Sequence, residues 1–422
     1  MELFYLRLFQ VLGFVPVSLE TFTNSKTITT SYPRLKKLFA FARIKYFPTL
    51  FFTCFSLLLF ATFIHNISSC STTEILNILK SRGTYFFVLF IKSVSHMCCA
   101  TFIKMDMALE RNKLFNFYKD FCLLLSKLGS SKKTKNRYYF RFKIEFATFL
   151  AIITYWSVEM YFTVSRISPS REVIFLRVGP VVLGYYHSAF AFLQVFLLIW
   201  YLEILKRIRA MVKNQLKTTN PMPEFHRPGD DISSDKKRPQ LQRYFRDNDP
   251  ELNSLSRKWD YNEIIDVYNS VREQVVEFGR LFGTWVALDI GHSVLRIIFS
   301  GYFIASIMSR KQPMFSQIVQ NFLTMVVYSY LLYMVARRGS ELESESRDML
   351  MELGKLDNLK NLNNCKTCRL QNMEAIQIKT KFMTLNLGII TPILPTITTN
   401  LLVLIQFHST DKGNCSTATK ST

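Results

Sequence analysis

Met383-Thr-Leu-Asn-Leu-Gly-Ile-Ile-Thr-Pro-Ile-Leu-Pro-Thr-Ile-Thr-Thr-Asn-Leu-Leu-Val-Leu-Ile-Gln-Phe407 carries no charged side chain. About 20 mostly apolar residues are enough for a helix to cross the hydrocarbon core of a bilayer, and this stretch supplies them. Six other segments meet the same requirement. They are Tyr46–Ile64, Thr84–Ile103 (interrupted by Lys92 and His96), Phe146–Val164 (one acid, Glu159), Gly179–Tyr201, Leu281–Met308 (holding Asp289, His292 and Arg296) and Phe315–Val335. The pattern predicts an all-α polytopic membrane protein with seven transmembrane helices. Leu3–Val17 is shorter and contains Arg7; it suits a helix lying on the membrane surface.

Composition agrees. Of 422 residues, 49% are apolar and 38 are Phe, and the mean hydropathy is +0.12. Charged residues make up 20%, below the roughly 25% of soluble domains. These values exclude a disordered chain, a disulfide scaffold and a coiled coil. The net charge of +22 would suit a nucleic-acid or a membrane partner; long apolar runs select the bilayer and argue against nucleic acid. The eight cysteines are scattered, and Cys365 and Cys368 form a lone pair of CxxC spacing. Without a second pair that spacing defines no zinc site. The start of the chain reads as lacking a cleavable signal peptide.

Orientation follows from Lys and Arg. With the N-terminus cytoplasmic, the inside segments 1–45, 104–145, 202–280 and 336–382 hold 42 basic residues and the outside segments hold 9. Long loops obey the positive-inside rule poorly; without 202–280 the balance is still 27 to 9. The C-terminal tail, 408–422, is then extracellular. Both Asn-x-Ser/Thr sequons, at Asn66 and Asn414, fall outside, as glycosylation acceptors must. This orientation opposes that of G-protein-coupled receptors, and neither Asp-Arg-Tyr after the third span nor Asn-Pro-x-x-Tyr in the seventh is present.

The inside loops have helical character. Glu203–Lys217 extends the fourth span; Thr218–Asn253, with five prolines, reads as flexible loop. Ile264, Val267, Val271, Val275 and Phe278 repeat at three or four residues, so a helix from about Trp259 runs into the fifth span. Arg337–Met373 is amphipathic. Helices from the second, fourth and sixth loops are expected to build one packed cytoplasmic layer.

Within the seventh span, Thr396, Thr399 and Gln406 share one helical stripe, with Leu402 and Val403 at or beside it. A polar stripe with an aliphatic middle suits a pore gated by a hydrophobic constriction; helix–helix packing by Thr and Gln accounts equally well for the spacing. Pro392 and Pro395 are expected to break or kink the helix near its entrance. The outward halves of spans three to six hold Trp156, Glu159, Tyr185, Tyr186, His187, Arg296, Ser300, Tyr302, Gln317, Gln320 and Asn321. Aromatic walls with a few polar groups describe a small-molecule site, and ionisable groups inside a membrane are usually functional. An interfacial aromatic belt is the alternative. Lys92, His96, Asp289 and His292 read as structural pairing, without a metal or cofactor site. Enzyme motifs are absent.

The end of the seventh span, Thr399-Asn400-Leu401-Leu402-Val403-Leu404-Ile405-Gln406-Phe407, resembles the insect gustatory receptor signature of Thr-Tyr, five hydrophobic residues and Gln-Phe. Asn400 replaces the Tyr. Leu8 to Pro16 is similar to the family's N-terminal opening, and Asp266-Val267-Tyr268 to Phe278-Gly279 to the helix leading into its fifth span. Odorant receptors share the inverted seven-span plan but usually lack the Gln-Phe ending. The resemblance implies a tastant-gated cation channel in the plasma membrane of gustatory neurons, a homo- or hetero-tetramer. Its seventh spans line a central pore, here with Thr396, Thr399, Leu402, Val403, Gln406 and Phe407. Its ligand would lie among spans three to six. A G-protein-coupled receptor, a transporter and a non-conducting auxiliary subunit are the competing classes.

Overall fold

Asp260 stands where the polar loop gives way to helix. Its carboxylate accepts from the Tyr261 amide at 2.7 Å, and Glu263 reaches back to the Asp260 amide at 3.2 Å. This capping box satisfies two of the backbone donors that every helix start leaves orphaned. The helix it opens, α5, runs unbroken over Tyr261–Met308. The loop helix and the fifth span are thus one element, as their shared periodicity predicts.

The computed structural model describes residues 72–128, 132–165, 171–219, 260–309, 315–361 and 373–418, with four isolated helical positions between Cys54 and Ala61. Its other long elements are α1 (Thr72–Leu109), α2 (Arg111–Leu128), α3 (Lys132–Ser165), α4 (Arg171–Thr219), α6 (Phe315–Asn361) and α7 (Ile390–Ala418). Among the described residues, five stretches are long and apolar enough to cross a membrane: Phe87–Leu109, Val181–Leu216, Tyr261–Met308, Phe315–Asn358 and Leu387–Phe407. They overlap the expected spans two, four, five, six and seven. The expected third span lies within α3. Apart from those four positions in span one, that span, the Leu3–Val17 helix, the proline-rich loop and the Cys365/Cys368 pair lie outside the described residues.

Helix α4 is apolar on nearly every face and is the bundle's centre: Leu193, Leu197, Leu198, Tyr201 and Leu205 are buried. The expected packed layer forms around its C-terminal half. Phe117 of α2 meets Phe282 of α5 at 5.4 Å, and Phe121 meets Tyr201 of α4 at 5.5 Å between ring centroids. Leu342, Met349, Leu353 and Leu356 of α6 join the same core. Along its rim, Arg209 of α4 bonds Glu345 at 3.1 Å and Glu352 at 3.0 Å on α6.

Three expectations need correction. Met373, the expected end of the amphipathic segment after the sixth span, is not helical, and the seventh helix does not begin at Met383. Residues 373–386 form a non-helical strap. It is pinned by the Ile376 amide on Ser346 Oγ at 2.7 Å and by Leu385 N–H on the Ile378 carbonyl at 2.9 Å. Asn386 then accepts from the Gly388 amide at 3.0 Å and caps a 3-10 turn, Leu387–Ile389, that leads into α7. Uncharged Thr384, Asn386 and Gly388 do not interrupt a hydropathy window, yet Asn and Gly favour caps and turns over helix interiors. Pro392 does not break the helix either. It sits in the first turn, where its missing N–H removes no helical bond, and α7 continues through Pro395.

Candidate functional site

The bundle places a polar cluster in its apolar middle. Trp156 of α3 lies flat against α4 because position 184 is glycine: a Cβ there would fall 2.7 Å from the indole. The indole N–H donates to Ser188 Oγ at 2.9 Å. Tyr185 donates to Ser157 Oγ at 2.8 Å, and Tyr155 shares a 2.7 Å bond with Thr324 of α6. Tyr328 of α6 packs against Trp156 at 6.2 Å on one side and lies beneath the Arg296 guanidinium of α5 at 5.3 Å. Arg296 is buried, and its Nε and one Nη have no hydrogen-bond partner among the described residues. Unfilled guanidinium donors inside a membrane are costly, so these two are available to an incoming acceptor.

Next to Arg296, three imidazoles meet. His96 of α1, His187 of α4 and His292 of α5 are all buried. The rings of His187 and His292 stack at 4.2 Å, and His96 stands edge-on to both, at 5.0 and 4.6 Å. Asp289 accepts from His187 Nδ1 at 2.9 Å and is itself held by Gln194 Nε2 at 3.4 Å.

The sequence-predicted ligand residues divide. Trp156, Tyr185, His187 and Arg296 come together in this cluster. Ser300 is buried with its hydroxyl unpartnered among the described residues. Glu159 accepts from Gln320, joining α3 to α6. Three residues point elsewhere. Tyr186 turns to α1, its hydroxyl on Met107 Sδ at 3.8 Å and its ring under Lys104 Nζ at 4.2 Å. Tyr302 packs with Val88, Ile298, Phe299 and Phe303. Asn321 donates to the Gln317 carbonyl of its own helix at 2.8 Å. Tyr155, Ser188, Tyr328, His96 and His292 were not in the predicted set; one mid-span histidine in each of three spans was the available signal.

Among the described residues, helix α7 packs on one side only. Ile393, Ile397, Leu401 and Leu404 face α5 and α1, with Leu401 seated over Gly301. Thr396, Thr399, Leu402, Val403, Gln406 and Phe407 are exposed. At about 100° per residue, Thr399 and Gln406 lie nearly opposite the packed side. Asn66 lies outside the described residues, and of Asn414 only the helical backbone is described.

Long apolar helices around a buried aromatic and polar cluster define the chain as a polytopic helical membrane protein. It belongs to the 7tm chemosensory receptor family, whose model matches residues 2–411. Two solved structures are similar over nearly the whole chain. The insect olfactory receptor OR5 from Machilis hrabei shares 13% identity and a TM-score of 0.56, with 95% of this chain and 96% of that one covered. The same receptor in complex with eugenol shares 13% identity and a TM-score of 0.52, with 96% and 97% covered. At that identity the likeness is one of fold. Among curated proteins, none matches the chain.

Proposed function

We propose that the chain is a gustatory receptor: a subunit of a tastant-gated, non-selective cation channel, assembled as a homo- or hetero-tetramer in the plasma membrane of gustatory neurons. One observation carries the reading. The exposed side of α7 holds the Thr and Gln stripe with Leu402 and Val403 in its middle, and a helix surrounded only by lipid would not favour that side. Neighbouring copies that turn this side toward a shared axis would give it water and ions instead. The Gln406-Phe407 ending favours the gustatory branch over the odorant one. The orientation, N-terminus inside and C-terminus outside, rests on the 42 to 9 division of basic residues. A second reading is an auxiliary subunit that conducts only with partners. Asn400, whose amide donates to the Thr396 carbonyl at 2.8 Å, stands at the position of the family's Tyr and favours it.

Whole-cell recording tests the channel reading. Leu402→Ala is expected to raise resting current severalfold, because shortening a side chain at a hydrophobic constriction lets water enter. Gln406→Ala is expected to shift relative cation permeability. Unchanged currents at normal surface expression would remove α7 from the pore. A C-terminal tag stained on intact cells checks the orientation.

The ligand site is proposed between α3, α4, α5 and α6, at Trp156, Tyr185, Arg296 and Tyr328, with eugenol in the similar olfactory receptor as a guide to ligand size. Arg296→Ala is expected to move the half-maximal agonist concentration at least tenfold, the equivalent of about 1.4 kcal/mol. Glu159→Gln, which retains an acceptor for Gln320, is expected to move it less. An unchanged dose–response in Arg296→Ala would make the arginine structural.

A further inference from the structure

We propose that His96, His187 and His292 form a transition-metal site of the zinc type at the junction of α1, α4 and α5. One potential ligand atom from each ring lies within 4.8 Å of the others. His96 is 0%, His187 1% and His292 3% exposed. Both ring nitrogens of His96, both of His292 and Nε2 of His187 have no hydrogen-bond partner among the described residues. The Leu183 carbonyl approaches His96 without closing a bond of normal geometry. Buried polar atoms are nearly always satisfied; in neutral rings these five nitrogens carry three lone pairs, one per ring, which a metal ion would take, and two N–H donors.

His187 is already arranged as a ligand. Asp289 accepts from its Nδ1 at 2.9 Å, which leaves Nε2 with its lone pair directed away, and Gln194 holds the carboxylate in turn. Metal-bound imidazoles regularly have such a carboxylate on the other nitrogen. Three imidazoles with one open position are a ligand set that zinc accepts, at about 2.0–2.1 Å from each nitrogen, and imidazole also suits copper and nickel. Closing from the present spacing to that geometry needs rotation of the stacked His187 and His292 rings. The charges around the site are Asp289, which favours a cation, and Arg296 and Lys92, which oppose it. Arg296, one turn beyond His292 on α5, therefore favours an anionic fourth ligand. The Cys99 thiol is directed to the Leu288 carbonyl at 3.6 Å and takes no part. A bound ion would tie three helices together beside the cluster that holds Trp156 and Arg296.

The test uses the full chain in lipid nanodiscs with Cys365→Ser and Cys368→Ser, so that the CxxC pair cannot contribute. The protein is stripped with chelator, exposed to Zn2+, dialysed, and its metal content measured. One zinc per chain is expected, and at least hundredfold weaker retention in His292→Asn. Asp289→Asn should keep the stoichiometry but weaken binding about 10–100-fold. Co2+ in place of Zn2+ should give a tetrahedral nitrogen-ligated spectrum without thiolate charge transfer. No zinc at micromolar free metal, equal retention in His292→Asn, or a thiolate-ligated or octahedral cobalt spectrum would overturn the proposal. Where His292→Asn does not yield folded protein, Asp289→Asn and the cobalt spectrum decide it alone.

Discussion

Gly339→Ala is expected to destabilise the receptor and cut its surface delivery severalfold, although alanine is the better helix former. The reason is the strap, 373–386. A Cβ at Gly339 of α6 would lie 2.1 Å from the Leu385 carbonyl oxygen. On the opposing helix, a Cβ at Gly279 would lie 2.5 Å from the Lys379 carbonyl oxygen, and one at Gly283 3.1 Å from Thr380 Cβ. The strap's backbone thus lies directly on glycines of α5 and α6. Neither carbonyl is a flexible side chain that can swing aside. Ile376 is tied to Ser346, and the Leu387 amide donates to Ser340 Oγ at 2.8 Å, so the strap cannot lift without breaking these bonds. Overpacking of this kind costs about 1–3 kcal/mol, and Gly279→Ala should add a comparable cost. Because the strap ends in the cap of α7, its displacement should also disturb gating. Gly354 is the control: a Cβ there meets nothing within 4 Å, and Gly354→Ala should stabilise by about 0.5–1 kcal/mol. Thermal unfolding in detergent and surface biotinylation would compare the two. Equal behaviour would mean that the strap is not seated on α6.

The second large effect belongs to Glu145 and Arg338. This pair joins α3 to α6, with both side chains only 9% exposed. Arg338 also bonds Glu341 of its own helix at 2.5 Å. Glu145→Leu removes the acidic partner that α3 supplies to Arg338, and Arg338→Met leaves Glu145 as a buried carboxylate. Breaking such a pair from one side costs about 3–5 kcal/mol. Replacing both members by apolar residues of similar volume is often neutral, so Glu145→Leu with Arg338→Met should recover most of the loss. Single and double variants compared by thermal unfolding give the coupling directly. Single-variant costs below about 1 kcal/mol would mark the pair as screened, like a surface ion pair.

The candidate site was legible in part. Trp156, Tyr185, His187 and Arg296 stood out as aromatic or ionisable residues in the outward halves of apolar spans, and the structure gathers them. Tyr186 and Tyr302 satisfied the same criterion and turned away. Depth along a helix says nothing about which neighbour a side chain meets. One residue of separation, Tyr185 to Tyr186, is a rotation of about 100°, enough to move a hydroxyl from Ser157 on α3 to Met107 on α1. His187 reads as a ligand residue while His96 and His292 read as structural pairing; nothing along any single span shows that the three converge.

What the sequence determined by itself are properties of single segments. Hydropathy marked the spans, and periodicity joined the loop helix, from about Trp259, to the fifth span. The Thr399 to Phe407 motif carried the family resemblance. Tertiary structure alone decided the rest: the convergence of His96, His187 and His292, the strap seated on Gly279 and Gly339, and the one-sided packing of α7. Each depends on how helices distant in sequence rotate and approach one another. That is set by side-chain interlocking and by glycines that admit a neighbour's backbone, which no window along the chain contains.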